Sequence, residues 1–396
     1  MRSSRLDICY KKKLASLFPS SFNGSADLYT YFVASGISNL ARNGVLTYIS
    51  PATFVRAKSG QTLRRFIAQN SAVDTYIDLD ETKVFKDADL HAAIYTLVNC
   101  PEQPSTVRYL HIENSHDLYR MCLGEIPTTS VAFEQPIEHG WAFHTSKFSL
   151  RAFSEIFDGC KNLGELGVTV YSGIRPGYAK AYIVDRYIYD QFAPNINSRW
   201  FKPTILPANI KRWSGAKKVH YMLIIPSGTH HIDDQILQYL LPYKEKLSAR
   251  TEAKNKDEWF TLRPCSYYKK MEMRKIAFPD LSAQQRFSIL EEGVYVPDGA
   301  YFIDTDNLVL LGILNSSIAR EYFINRCSSV GNLSSKGRFR FKKSFVQGFP
   351  VPQFFNKNGP IQEGINQLVQ KMIDDGESDK DRLQLDQLVS RLLARV

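Results

Sequence analysis

Ala26–Phe54 reads ADLYTYFVASGISNLARNGVLTYISPATF, and the reading of this stretch decides the fold class. Leu28, Phe32, Val33, Ile37 and Leu40 recur at helical spacing, so the segment opens as an amphipathic helix. Asn43-Gly44 supplies the left-handed turn that stops a helix. Val45–Ser50 is short, apolar and rich in β-branched and aromatic residues, which predicts a buried strand. Pro51 ends it, because proline has no N–H for a central ladder. Helix, tight turn and strand in succession are half of an α/β unit.

The wording of the stretch carries more. ADLYTYF followed by NGVLTYISPATF resembles the methyltransferase domain of adenine-N6 DNA methyltransferases fused to target recognition, the TaqI-like and type IIG restriction–modification group. In that family the helix follows a catalytic Asn-Pro-Pro-Tyr loop. No Asn-Pro-Pro-Tyr occurs in these 396 residues, nor any Phe-x-Gly-x-Gly or Gly-x-Gly-x-x-Gly.

Outward from the stretch, Leu63–Ala68 predicts a short helix. Val73–Leu79 alternates apolar and polar residues, and Leu90–Val98 predicts a second strand, antiparallel to the first around Asp80–Asp89. The β-α-β-β order matches, by the resemblance, the C-terminal half of a class I methyltransferase sheet. The family's S-adenosylmethionine site lies on the other half, so no cofactor is expected on this chain alone. The resemblance also implies an aromatic residue beside a flipped adenine, since the amino group of a stacked base is out of reach. Phe85 in ETKVFKDADLHAAIY is the position that fits. The plainer alternative is that Phe85 packs under its loop.

Composition sets the frame. Hydrophobic residues make up 44% and aromatics 12%, the values of a globular chain long enough for two cores. No apolar run reaches the roughly 18 residues of a membrane span, and the basic start leads into no signal-peptide core. The six cysteines (Cys9, Cys100, Cys122, Cys160, Cys265, Cys327) form no CxxC pair, which argues against zinc and against a disulfide framework. A cytoplasmic location is expected by elimination. The net charge of +10 is uneven: residues 1–150 hold 15 Lys/Arg against 14 Asp/Glu, and residues 151–396 hold 35 against 26. A basic excess confined to one region points to a polyanion-facing surface there. Lys11-Lys12-Lys13 near the start reads as a frayed basic terminus, beside the DNA backbone in the resembling family.

Residues 101–165 read as a connector, with a strand-like patch at Val107–Ile112, Trp141, and a helix over Ser149–Asn162. LGVTVYSGIRPGYAKAYIVD (166–185) opens the second domain as a hairpin: Val168 and Val170, a Gly173–Gly177 turn, then Ala181–Val184. It matches the family's segment at the start of its target recognition domain, with Arg175 and Lys180 facing DNA. FKPTILPANIKRW matches a further family segment, except that Pro207-Ala208 and Asn209 replace the usual glycine and arginine. Lys211, Arg212 and Trp213 form a candidate phosphate anchor there, followed by a buried strand at Tyr221–Ile225.

His230, His231, Asp233 and Asp234 invite a metal reading, but THHIDDQILQYL reads better as a helix start with Thr229 near the cap and acids in the first turn. PYKEKLSAR, Trp259–Leu262 and the Lys275–Pro279 strand continue the resemblance, as does LLGILNSS within an amphipathic helix at Leu308–Asn325. GNLSSKGRFRFKKSFVQGFPVP brings Lys336, Arg338, Arg340, Lys342 and Lys343 between phenylalanines. At strand spacing Arg338, Arg340 and Lys342 share one face, with Phe339 and Phe341 on the other. A basic face on an apolar anchor suits phosphates or guanine edges. Leu368, Ile373, Leu383, Leu385, Leu388 and Leu392 mark a helical tail broken by the acidic Asp374–Asp381.

The resulting expectation is an α/β chain, a partial class I methyltransferase Rossmann-like sheet (1–100) and a connector (101–165), followed by an α+β DNA target recognition domain (166–355) and a tail (356–396). Its partner is double-stranded DNA. A second chain carrying the missing N-terminal half is a possible further partner, and no membrane is involved. The parent reaction is S-adenosylmethionine-dependent methylation of adenine, which this chain alone should not perform. The competing class is a non-enzymatic DNA specificity subunit or a protein-binding scaffold, with an RNA-modifying relative a distant third.

Overall fold

A computed structural model describes residues 7–394, apart from Ser25, Ala57, 80–81, Lys83, 86–90, Pro101, Glu113, 135–139, 145–154, 215–219, 251–257 and 331–337. The chain divides into two units, Met1–Ser154 with Tyr322–Phe339, and Glu155–Glu321 with Arg340–Val396.

The first unit runs α1 (Ile8–Leu17), α2 (Tyr29–Ser38), β1 (Val45–Pro51), α3 (Gln61–Asn70), β2 (Ala72–Asp78), β3 (Ala92–Val98), β4 (Thr106–His111), α4 (Ser115–Cys122), β5 (Thr129–Glu134) and β6 (Ala142–His144). Lys11–Lys13 lie within α1, whose start is capped by Asp7 accepting from the Tyr10 amide, so this piece is helical and not frayed. The six strands form one sheet in the order β1-β3-β2-β4-β5-β6. β3 lies antiparallel between β1 and β2, β2 and β4 are parallel, and the remaining pairs are antiparallel.

Helices α2 and α3 cover one face. Val33, Ile37, Leu63 and Ile67 pack there on Val73, Tyr76, Tyr95 and Leu97. On the other face, Leu118 and Met121 of α4 pack against Leu79, Ala92, Leu110 and Ile112. That cover stops short of β1, where Val45 and Ile49 are exposed.

Three expectations change here. The Val45–Ser50 strand is an edge strand, paired among the described residues with β3 alone and exposed at every second residue, instead of buried. Its β-branched content specified extension, and extension does not by itself bring a second neighbour. Phe32 points outward at 66% exposure, while Tyr31 and Ala34 fill the inner face of α2. The helix ends at Ser38, and Asn43 (φ 60°) instead turns the chain into β1, its N–H bonded to the Asn99 carbonyl.

The segment read as a connector supplies β4, β5 and β6. Its Pro, Ser and charge content hid three strands that are half-exposed or short. Trp141 anchors them. It is 1% exposed, stands edge-on to Phe54 and Phe133, and its backbone N–H donates to the Val55 carbonyl. Of the expected Ser149–Asn162 helix, 149–154 lie outside the described residues, and Lys161–Asn162 is a strand paired with Pro350–Val351.

In the second unit, β7 (Val170–Ser172), β8 (Ile183–Val184), β9 (Phe201–Thr204), β10 (Trp213–Ser214), β11 (His220–Leu223), β12 (Lys275–Pro279), β13 (Ser288–Leu290) and β14 (Ala300–Ile303) build two sheets. One has the order β10-β13-β12-β14-β7 and the other β9-β11-β8. β10 and β13 are parallel, and the other pairs antiparallel. The segment 166–185 is therefore not a hairpin, because β7 and β8 belong to different sheets and Ala179–Tyr182 is a helical turn. β12, buried at all five residues, is the middle of its sheet. Lys275 sits there with its Nζ donating to the Met271 and Met273 carbonyls, and burial lowers its pKa to about 8 although Glu272 opposes the shift.

The helices of this unit include α5 (Asp234–Leu240), α6 (Lys244–Ser248), α7 (Tyr268–Glu272), α8 (Leu308–Asn315), α10 (Lys343–Gln347), α11 (Pro360–Asp374) and α12 (Asp379–Leu393), and α9 (Ser317–Arg326), which begins here after a break at Ser316, ends in residues of the first unit. α8 is buried from Val309 to Asn315 and packs on α11 and α12. In α12, Leu385 and Leu392 are buried and Leu383 is exposed.

Trp141→Ala should cost the first unit about 3–5 kcal/mol through cavity formation. Urea denaturation followed by the circular dichroism of the whole chain would record this as an earlier first transition.

Candidate nucleic-acid interface

The interface is built at the β7 edge of the five-stranded sheet. After Ser172 the chain passes so close to the next loop that a Cβ on Gly173 would lie 2.0 Å from the Pro297 carbonyl oxygen. Only glycine permits this approach. The loop is then stitched down by three backbone bonds, Gly173 N–H to Ala300 O, Ile174 N–H to Val296 O, and Asp298 N–H to Ile174 O. Gly177 closes the turn at φ +75°.

Arg250 holds the same loop from beneath. Its guanidinium donates to the carbonyls of Pro176 (2.9 Å), Trp259 (2.7 Å) and Thr261 (2.9 Å), and its Nε to that of Leu247 (2.9 Å). The buried Tyr182 ring lies 5.7 Å from this guanidinium, and its hydroxyl donates to the Phe260 carbonyl. Burial, only partly offset by Arg250, raises the Tyr182 pKa to about 12. Two distant segments, 173–177 and 259–263, thereby keep a fixed spacing. Between them lies a cavity of about 250 Å³ lined by Ser172, Gly173, Arg175, Arg263, Cys265 and Tyr267.

Around the cavity, cations alternate with tyrosines. The Tyr267 hydroxyl donates to the Ser172 carbonyl at 3.0 Å, and its ring lies 5.0 Å from that of Tyr171. The Lys343 ammonium is 5.9 Å from the Tyr171 ring. Gln347 pins α10 beside β7, its side chain bonding the Val168 carbonyl and the Val170 amide. Lys270 pairs with Asp304 at 3.1 Å. Tyr301, opposite Ser172 on β14, has a raised pKa because of burial and of Asp280 and Asp298, with Arg175 and Arg340 opposing; both arginines thus lie within electrostatic reach of its hydroxyl.

Of the residues singled out in the sequence, the fold gathers Arg175, Arg340 and Lys343 around β7, with Lys342 exposed beside Lys343 at the start of α10. Lys180 and Lys211 are exposed elsewhere on the unit. Arg338 is exposed in the short strand Arg338–Arg340, with Phe339 and Phe341 buried as the alternation required. Lys336 lies outside the described residues. Phe85 is 39% exposed in the first unit, most of its loop lying outside the described residues.

Arg212 and Trp213 are not an exposed anchor. Trp213 is 3% exposed and held at φ 74° by its parallel pairing with β13. Arg212 is committed to Glu377 at 2.9 Å, a carboxylate also met by Arg382 at 3.1 Å. Thr229 caps no helix: α5 begins at Asp234, and the Asp233 carboxylate accepts from the Trp200 indole. Among the described residues no group of three metal ligands occurs, and no helix is long and apolar enough to cross a membrane. Arg263, Tyr171, Tyr267, Arg250 and Asp298 were not singled out in the sequence. Their nearest signal was the basic and aromatic run Arg263–Lys270, whose importance depends on a loop some ninety residues upstream.

Several known proteins are similar to this chain. Residues 1–85 match the family model described as Eco57I restriction-modification methylase. Type II methyltransferase M.BanIII of Aneurinibacillus aneurinilyticus is 20% identical over 97% of this chain and 72% of its own length. Homologues of this chain are type II methyltransferases of restriction–modification systems. M.BstVI of Geobacillus stearothermophilus is 24% identical over 79% of this chain. The type IIL restriction-modification enzyme MmeI, solved in complex with DNA, has the same fold over the full length of this chain, with a TM-score of 0.63 at 12% identity. The chain spans 58% of M.BstVI and 53% of the MmeI chain.

Glu377 is half-buried, which raises its pKa, but Arg212 and Arg382 outweigh this and hold it below 4.5. A carboxylate with a depressed folded-state pKa stabilises fully above 4.5 and loses that contribution as pH falls through the lower value. Glu377→Gln should therefore lower the melting temperature at pH 7, with the difference from the parent chain shrinking as melts are run below pH 4.5.

Proposed function

We propose that this chain is the DNA-binding, target-recognising portion of a site-specific adenine-N6 DNA methyltransferase of a restriction–modification system. The observation that carries the reading is the basic and aromatic surface at β7, where Arg175, Arg340 and Lys343 converge with Tyr171 and Tyr267 on backbone stitched in place. Fixed cations beside aromatic faces suit a duplex, since phosphate contacts supply affinity and a rigid frame keeps the register. The DNA bound in the MmeI structure supports the same partner for this chain.

Homology to methyltransferases implies S-adenosylmethionine as the methyl donor of the parent enzyme. The described residues do not fit that cofactor. β1 is the edge of its sheet, and no glycine-rich turn follows a strand on its free side. The order β1-β3-β2, with an antiparallel strand between two others, supports reading this sheet as the C-terminal half of a class I methyltransferase sheet. In this reading β1, with Val45 and Ile49 exposed, receives the half that carries the cofactor and the catalytic tetrapeptide, from a preceding segment or a partner chain. In the same reading Phe85, 39% exposed, is the residue that stacks on the extruded adenine. The chain by itself performs no methyl transfer.

Duplex binding by the full chain should weaken steeply with salt, each neutralised phosphate adding about 0.9 to the log–log slope. Lys342→Ala with Lys343→Ala should flatten the slope by roughly two without changing sequence preference. Fluorescence anisotropy across a salt series measures both, and binding insensitive to salt would overturn the proposal.

A further inference from the structure

Arg175 differs from the lysines around it in how it is held. Its Nε donates to Asp298 Oδ1 at 3.1 Å, and both side chains are about half exposed. Among the described residues Nη1 and Nη2 have no hydrogen-bond partner, so one edge of the guanidinium is docked and the outer fork is presented. The backbone beneath is immobilised on both sides. Ile174 is bridged to Pro297 and bonded to Val296 and Asp298, and Pro176 is bonded by Arg250. The carboxylate belongs to the same stitched pair of loops, since the Asp298 N–H itself donates to the Ile174 carbonyl.

We infer that Arg175 is a specificity-determining residue that reads the O6 and N7 edge of a guanine in the major groove, with Asp298 as its positioning residue. The inference rests on the reading of this surface as a duplex-binding one. Three physical points separate it from a phosphate contact. A phosphate needs net positive charge, whereas at Tyr301 the two arginines in reach, Arg175 and Arg340, are matched by two carboxylates, Asp298 and Asp280, which leave an approaching phosphate little net attraction at Arg175. A base edge is uncharged, so the carboxylates impose no such penalty on it. Guanine presents two acceptors in one plane, which match two donors of a guanidinium whose rotation is blocked. A G·C pair also offers the cytosine amino group, a donor for a carboxylate placed beside the arginine. The Arg175–Asp298 pair has both complements of that base pair, and a flexible lysine has neither.

The test is selection of duplexes from a random-sequence pool at fixed salt, using the full chain and its Arg175→Ala and Asp298→Asn variants. The parent chain should enrich a motif with one guanine column that Arg175→Ala loses, on the order of ten- to a hundredfold in preference, the other columns being retained. Asp298→Asn should relax the same column while overall affinity holds or rises, because a negative charge is removed. Replacing that guanine by 7-deazaguanine should weaken the parent chain and leave Arg175→Ala unaffected. Uniform weakening by Arg175→Ala with the motif intact would make it a phosphate contact and overturn the inference. An unchanged motif and affinity, or duplex binding by the parent chain without any enriched motif, would overturn it too. Failure of the parent chain to bind any duplex would remove the proposed function along with it.

Discussion

The Arg250 guanidinium spends its hydrogen bonds on four backbone carbonyls from three separate segments of the second unit. The carbonyls of Pro176, Trp259 and Thr261 lie in loops, outside any strand ladder, and that of Leu247 lies at the end of α6, so removing the side chain would leave several polar groups underused at once. Lysine could not replace it, having no planar fork to reach three directions. The Gly173 approach to Pro297 and the clamp on Pro176 act on the same five residues from opposite sides. Without that double constraint, Arg175 and Arg263 would be two basic residues on mobile loops. With it they are two walls of one cavity.

The units treat charge differently. In the second unit some cations project from stitched backbone, as Arg175 does, some are exposed elsewhere, as Lys180 and Lys211 are, and others are held by carboxylates or backbone carbonyls. Arg212 and Arg382 share Glu377, Lys275 bonds two carbonyls in the core, and Lys371 pairs with the buried Asp381. The formal excess of positive charge therefore overstates the basic surface. In the first unit the notable feature is the edge strand β1. Val45 and Ile49 of β1 are exposed, a long unprotected edge of the sort that natural sheets normally cover.

Some of this was legible in the residues. The β2/β3 antiparallel pair, the central Lys275–Pro279 strand, and the alternation of Phe339 and Phe341 against Arg338 and Arg340 follow from local periodicity. The loop residues were a harder case. Gly173–Gly177 reads as a hairpin turn because glycine pairs around Arg-Pro commonly make one, yet here the flanking strands join different sheets. Lys211-Arg212-Trp213 reads as a surface anchor, and a glutamate 165 positions away turned its arginine inward. Residues 101–165 read as a connector since nothing local announces that Trp141 will plug the core of the first sheet.

By itself, then, the sequence determined the elements whose signal lies within a few residues: strand alternation, helix faces, the basic C-terminal region, and wording shared with methyltransferases over most of the chain. Tertiary structure alone decided which cations remain available and which glycine must be glycine. The physical reason is range. Periodicity and turn chemistry are set by neighbours along the chain, whereas ion pairing, burial and cavity formation depend on groups that folding brings together from more than a hundred positions apart, as Asp298 is brought to Arg175.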